Sequence, residues 1–193
     1  SHTPEGVRLG LMMYGHRAKG QCTDIELVAP IAAEEAATLN DLVQAAQAKG
    51  ETPSADSIKK AVKRFAALKG QDNRIVLLTD GVEECGGDVC AAAQAAADAG
   101  VNLRIDVVGF TLGAEQREAI SCITKITGGN YYDARDASAL VQTMAAVVQT
   151  DAGNSPKQYT DGQDNTVTLG LGDLAFADIS VSADPAGSKL RAG

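Results

Sequence analysis

The sequence predicts a doubly wound α/β domain, and three observations carry that expectation. Arg74-Ile-Val-Leu-Leu-Thr79 is β-branched and apolar on both faces, the pattern of a strand in the middle of a parallel sheet covered by helices. From Arg74 onward strand-like and helix-like segments alternate, the order that right-handed crossovers build into a parallel sheet. The chain has 193 residues, 45% of them apolar and 4% aromatic, enough to bury a core without disulfide support.

Taken in order, Val7-Arg-Leu-Gly-Leu-Met-Met-Tyr14 is a nearly continuous apolar run ended by Gly15, and reads as a buried strand. Asp24-Ile-Glu-Leu-Val-Ala29 alternates like a strand with one wet face and is expected to stop at Pro30. The polar link between them is short enough to make an antiparallel pair. Leu39, Leu42, Val43 and Ala46 recur at helical spacing up to Lys49-Gly50, and Ile58, Ala61, Val62, Phe65 and Leu68 do so up to Lys69-Gly70. After the central strand, Asp88 to Ala99 is an alanine-rich helix closed by Gly100, and Leu103 to Gly109 is a strand. Ile120, Ile123 and Ile126 mark a helix ending at Gly128-Gly129, Tyr131-Tyr132 a short strand, and Leu140, Val141, Met144, Val147 and Val148 a last helix.

Composition changes after Thr150. Residues 7–150 read as the α/β domain, 151–165 as a polar linker, and 166–193 as a β-rich tail that resembles the start of a second domain, with strands at Thr166–Leu171 and Ala175–Ser182. A formal charge of −8 is the wrong sign for neutralising phosphates, so nucleic acid is not an expected partner. No apolar run approaches the ~20 residues that cross a bilayer, so no membrane span is expected in this chain.

Cys22, Cys85, Cys90 and Cys122 form an even set that permits two disulfides in three connectivities. Free thiols and a metal site are the other readings. Cys85 with Cys90 would staple the loop after Asp80, leaving Cys22 with Cys122; a crossed Cys90–Cys122 pair also stays open, because helices after adjacent parallel strands are neighbours.

In an open α/β sheet the site lies beyond the carboxyl ends of the strands. Asp80 follows the central strand directly, and Thr52 lies in the Gly50-Glu-Thr-Pro-Ser54 loop. A carboxylate and a hydroxyl are hard oxygen donors suited to Mg²⁺. The plain structural alternative makes Thr52 a helix N-cap with Pro53 at the first helical position, and Asp80-Gly81 a turn. His16 and Arg17 lack a nucleophile, and are expected as a loop histidine satisfied by backbone and an arginine paired with Asp24 or Glu26.

Leu77-Leu-Thr-Asp-Gly81, Gly50-Glu-Thr-Pro53 and Asp106-Val-Val-Gly-Phe110 together resemble the von Willebrand factor type A domain. Met13-Tyr-Gly-His-Arg17, Cys22-Thr-Asp-Ile-Glu26, the string from Asp80 to Cys90, and Cys122-Ile narrow the likeness to a bacterial, usually exported subgroup. The resemblance covers roughly Val7 to Val148. It implies a mostly parallel sheet with one antiparallel edge strand and helices on both faces, and an extracytoplasmic location, periplasmic or secreted. It also implies a protein-binding module rather than an enzyme. Thr52 and Asp80 would hold Mg²⁺, Mn²⁺ or Ca²⁺ in a metal-ion-dependent adhesion site, and a partner protein would supply an acidic residue.

Domains of that kind open with a buried strand ending in Asp-x-Ser-x-Ser, and no such motif stands before Val7, where only Ser-His-Thr-Pro-Glu-Gly precedes the first strand. The cation site is therefore expected to be incomplete, and the sheet to need a further strand. An N-terminal segment, the chain's own tail or another molecule would have to supply it, since an open slot leaves two rows of backbone groups unpaired. The competing functions are a structural domain of the same type without metal binding, and a metal-dependent α/β phosphohydrolase using Asp80.

Overall fold

The computed structural model describes residues 7–32, 36–149, 164–171, 181–183 and 190–192. The elements run β1 (Val7–Tyr14), β2 (Ile25–Ala32), α1 (Ala36–Gln44), α2 (Ser54–Val62), β3 (Asn73–Thr79), α3 (Val89–Asp98), β4 (Leu103–Phe110), α4 (Ala114–Thr127), β5 (Tyr131–Ala134) and α5 (Ala137–Gln149). Three strands follow: β6 (Asp164–Leu171), β7 (Val181–Ala183) and β8 (Leu190–Ala192).

Six of the strands form one sheet in the order β2-β1-β6-β3-β4-β5. The β1–β2 pair is antiparallel, with β2 at the edge, and every other neighbouring pair is parallel. This is the mostly parallel sheet with one antiparallel edge strand that the sequence resemblance implied. The expected stop at Pro30 is corrected: β2 runs through it to Ala32. An edge strand tolerates proline because one side of its backbone has no ladder to feed. The β1–β2 register shifts between Leu9 and Leu11, opposite that proline.

Alternation along the strands sorts the core onto two faces. On one, Met12 and Tyr14 of β1, Ile75 and Leu77 of β3, and Ile105 and Val107 of β4 pack under α2, α3 and α4. On the other, Leu11 and Met13 meet Leu39 and Val43 of α1, while Val76, Leu78 and Val108 meet Leu140, Met144 and Val147 of α5. All seven residues of β3 are buried, as a central strand requires. Arg74 is buried too, with its Nε 2.6 Å from Asp106 Oδ2 and its Nη1 donating to the Val147 carbonyl at 2.6 Å. Asp106 Oδ1 accepts the Asn130 N–H, so one ion pair ties β3, β4, the α4–β5 link and α5. A buried charge needs this degree of pairing.

The slot between β1 and β3 is filled by β6. Its eight residues pair in parallel with the whole of β1, and residues 165–169 pair with residues 73–77 of β3. The strand expected at Thr166–Leu171 thus joins the main sheet and pairs with the backbone of all of β1 and of Asn73–Leu77 in β3. Of the strand expected at Ala175–Ser182, residues 175–180 lie outside the described residues; β7 begins at Val181 and pairs with β8.

Two helix ends differ from expectation. α1 stops at Gln44 rather than near Lys49, because Lys49 and Gly50 turn their N–H groups onto the Gly15 carbonyl, both at 2.8 Å. α2 stops at Val62 and tightens into a 3₁₀ turn, Lys63–Phe65, which delivers Phe65 to the core.

Candidate functional site

Three loops meet at the carboxyl rim of the parallel strands. They are residues 15–24 between β1 and β2, 49–53 before α2, and 80–88 between β3 and α3. Gly15 has φ +64, and a Cβ there would stand 2.7 Å from the Glu51 carbonyl oxygen, so only glycine allows the first two loops this approach. Gly87 plays the same part for the third, where a Cβ would stand 2.6 Å from Ala55 Cβ.

Disulfides complete the fastening. Cys22 bonds Cys85, joining the β1–β2 loop to the 80–88 loop, and Cys90 bonds Cys122, joining α3 to α4. The expected Cys85–Cys90 staple and its Cys22–Cys122 counterpart are corrected, and the crossed pairing is the one present. The packing of α3 against α4 brings the second pair together, and the shared rim brings the first.

Thr52 and Asp80 both lie on this rim. Thr52 is buried, and its Oγ1 would lie 3.8 Å from a Cβ built on Gly81, the residue after Asp80. Asp80 is exposed. The N-cap expectation for Thr52 is corrected: α2 begins at Ser54 with Pro53 at the cap position and no side-chain cap from its own flank. The Thr52 N–H and Oγ1–H instead donate to Glu84 Oε2, at 3.1 and 2.9 Å. The turn expected from Asp80-Gly81 is drawn by Thr79, whose hydroxyl donates to the Gly81 carbonyl at 2.8 Å and accepts the Gly81 N–H at 3.3 Å.

Glu83 and Glu84 are the residues that sequence reasoning missed. Glu83 accepts the Ala55 N–H at 2.8 Å on one oxygen, and those of Cys85 and Gly87 at 2.8 and 3.3 Å on the other. It therefore caps α2 from a different loop and closes its own loop at once, with a carboxylate where the helix dipole favours one. The readable signal was two adjacent glutamates in a short loop preceding Cys85. Beneath them Tyr14 is fully buried, donating to the Leu78 carbonyl at 3.0 Å. Burial pushes its phenol well above the ordinary range, with further upward contributions from Asp80, Glu83 and Glu84 against a hydrogen bond to Thr79.

At the rim's flank Arg17 pairs with Asp24 at 2.6 Å and with Glu26 at 3.2 Å. Burial alone would raise the Asp24 pKa. Hydrogen bonds from the Arg17 side chain and from the Ala18 and Arg17 N–H groups outweigh it and hold the carboxyl below the usual carboxylate range. The backbone partner expected for His16 is corrected: its Nε2 stands 3.1 Å from Glu26 Oε2, without hydrogen-bond alignment.

Among the described residues, Thr52 and Asp80 are the oxygen donors of the rim that the sequence singled out for a divalent cation. Among the described residues no three His, Cys, Asp or Glu side chains converge as ligands. The Thr52 hydroxyl hydrogen is committed to Glu84, and the Glu83 carboxylate to three backbone donors.

A family model for the von Willebrand factor type A domain matches residues 1–146. The chain is also similar to two uncharacterized proteins of Bacillus subtilis (strain 168). YwmD is 24% identical over 154 residues, 76% of this chain and 69% of that relative. YwmC is 28% identical over 144 residues, 69% of this chain and 62% of that relative. The chain thus spans about two thirds of the length of these relatives. No solved structure matches it significantly.

Proposed function

Since the chain belongs to the von Willebrand factor type A domain family, we propose that its carboxyl rim docks a protein partner, with Asp80 and its loop at the centre of contact. Family membership supports a protein-interaction module in general; the choice of rim is the finer step. The observation that carries it is the fastening of the 80–88 loop by Glu83 and by Cys22–Cys85, while Asp80 and Glu84 stay exposed. A polar surface held in one conformation binds without the cost of ordering it. Two disulfides, with no helix among the described residues long and apolar enough to cross a membrane, support placement outside the cytoplasm, periplasmic or secreted.

The docking step is not routed through a cation. A partner's acidic group would face repulsion from Asp80 and Glu84 unless Mg²⁺, Mn²⁺ or Ca²⁺ stood between, and such an ion needs donors beyond Thr52 and Asp80. The second reading is a purely structural domain, favoured by Glu84 taking up both donors of Thr52.

Site-specific photocrosslinking in the native host separates the two readings. A photoreactive residue at position 84 is expected to trap a discrete protein adduct that weakens in Asp80→Lys and is absent when the probe sits at position 98 on α3. Equal adducts from both positions, or none from position 84, would overturn the rim reading.

A further inference from the structure

We infer that the outward face of α2 and the 3₁₀ turn after it is a second docking surface, one that takes an acidic, Asp- or Glu-rich segment of a partner protein. The inward side of this stretch is core: Ala55, Ile58, Ala61 and Phe65 are 0% exposed. The outward side carries Lys59, Lys60, Lys63 and Arg64, all exposed, with exposed Lys69 in the turn beyond. The one acid on this face is Asp56, and it pairs with Lys59 at 3.1 Å. Among the described residues no ion pair engages Lys60, Lys63, Arg64 or Lys69.

The chain as a whole has 25 acidic residues against 17 basic, so a mixed, solubilising surface here would be expected to carry acids among its bases. The helix dipole accounts for cations in the last turn of α2, which Lys59 and Lys60 provide. Lys63 and Arg64 lie past that turn and continue the positive stretch, and exposed Lys69 follows in the next turn.

The chemistry of the face selects among anionic partners. Val141, on α5, is the one exposed large hydrophobic side chain among the described residues, so the face has no apolar wedge for lipid. Its only aromatic, Phe65, is buried and offers no platform for bases. A nucleic acid or a vesicle is an extended polyanion that meets the net charge of −8 as well as the patch. A short acidic segment senses mainly what lies within the Debye length of about 8 Å at physiological salt, and there the sign is positive.

The test is fluorescence anisotropy with a fluorescein-labelled oligoglutamate peptide and the full chain, at low and at high salt. Wild type is expected to bind at low salt and release at high salt. Lys59→Glu, Lys60→Glu, Lys63→Glu and Arg64→Glu combined should lose affinity roughly tenfold or more. A two-site control away from patch and rim, Lys125→Glu with Arg135→Glu, should stay within about threefold of wild type and lose less than the matching patch pair Lys60→Glu with Lys63→Glu. A neutral variant, Lys59→Gln, Lys60→Gln, Lys63→Gln and Arg64→Gln combined, gives the same reading with little risk to the fold, and far-UV circular dichroism checks each protein. Equal losses in patch and control variants would overturn the inference, as would no binding by wild type. So would tighter binding of phosphatidylglycerol vesicles or single-stranded DNA than of the peptide, and so would self-association that competes the peptide away.

Discussion

Glu84 Oε2 accepts both the backbone N–H and the hydroxyl of Thr52, so one carboxylate from the loop after β3 organises the loop before α2. Glu83 Oε2 accepts the backbone N–H of Ala55 in the first turn of α2. Two neighbouring carboxylates thus hold the rim in shape from within the chain, and each can be removed separately.

Glu83→Ala should be the costlier change. It leaves three backbone donors without their acceptor, against two hydrogen bonds lost in Glu84→Ala, whose carboxylate is exposed and more readily replaced by water. Urea denaturation is expected to give a loss of about 2 to 3 kcal/mol for Glu83→Ala and about 1 kcal/mol for Glu84→Ala. A reversed order would show that the Glu84–Thr52 contact, not the α2 cap, anchors the rim.

Peptide mapping without reduction should return Cys22 linked to Cys85 and Cys90 linked to Cys122. The first bond closes 63 residues of separation and the second 32, so the chain-entropy model puts each at about 4 kcal/mol, with the first slightly larger. Paired Cys→Ser variants compared by denaturant midpoint check both the size and the order.

Asp24 sets an acid limit. Its carboxyl is held below the unfolded value of about 3.9, so its contribution is present above that pH and is lost as pH falls through the folded value. Wild type should therefore lose stability on acidification below about pH 4 more steeply than Asp24→Asn. Parallel acid-dependence curves would show that Arg17 and the two N–H groups give Asp24 no such role.

The Arg74–Asp106 pair is sealed between the sheet and α5. Asp106→Ala should cost about 3 to 5 kcal/mol, because it leaves a guanidinium buried without its counter-charge. Arg74→Met with Asp106→Leu should recover part of that loss, and full recovery is limited by the Asn130 N–H that loses its acceptor. Thermal melts of the single and double variants provide the comparison.

Millimolar Mg²⁺ or a chelator should leave the melting temperature unchanged, since the rim is closed by Glu83 and Glu84 and its described donors do not converge. A rise with Mg²⁺ that disappears in Asp80→Ala would restore the cation reading.

Much of this fold was legible along the chain. The Ile75–Leu78 apolar run, the alternation after it and the glycine stops follow from local periodicity, which acts over a few residues and is written directly in them. The likeness to a known family could also be read from its strings, as could the positions of Thr52 and Asp80 near a common rim. Other features depend on which distant segments meet. The pairing of the cysteines was decided by α3 lying on α4 and by two loops sharing a rim, and the partner of Thr52 by a glutamate 32 positions away. The place of β6 was decided by two open rows of backbone hydrogen-bonding groups, which need a partner strand but do not encode where in the chain it comes from. Sequence by itself determined the elements and the rim's inventory; tertiary structure decided the contacts, because long-range pairing depends on geometry that no local pattern carries.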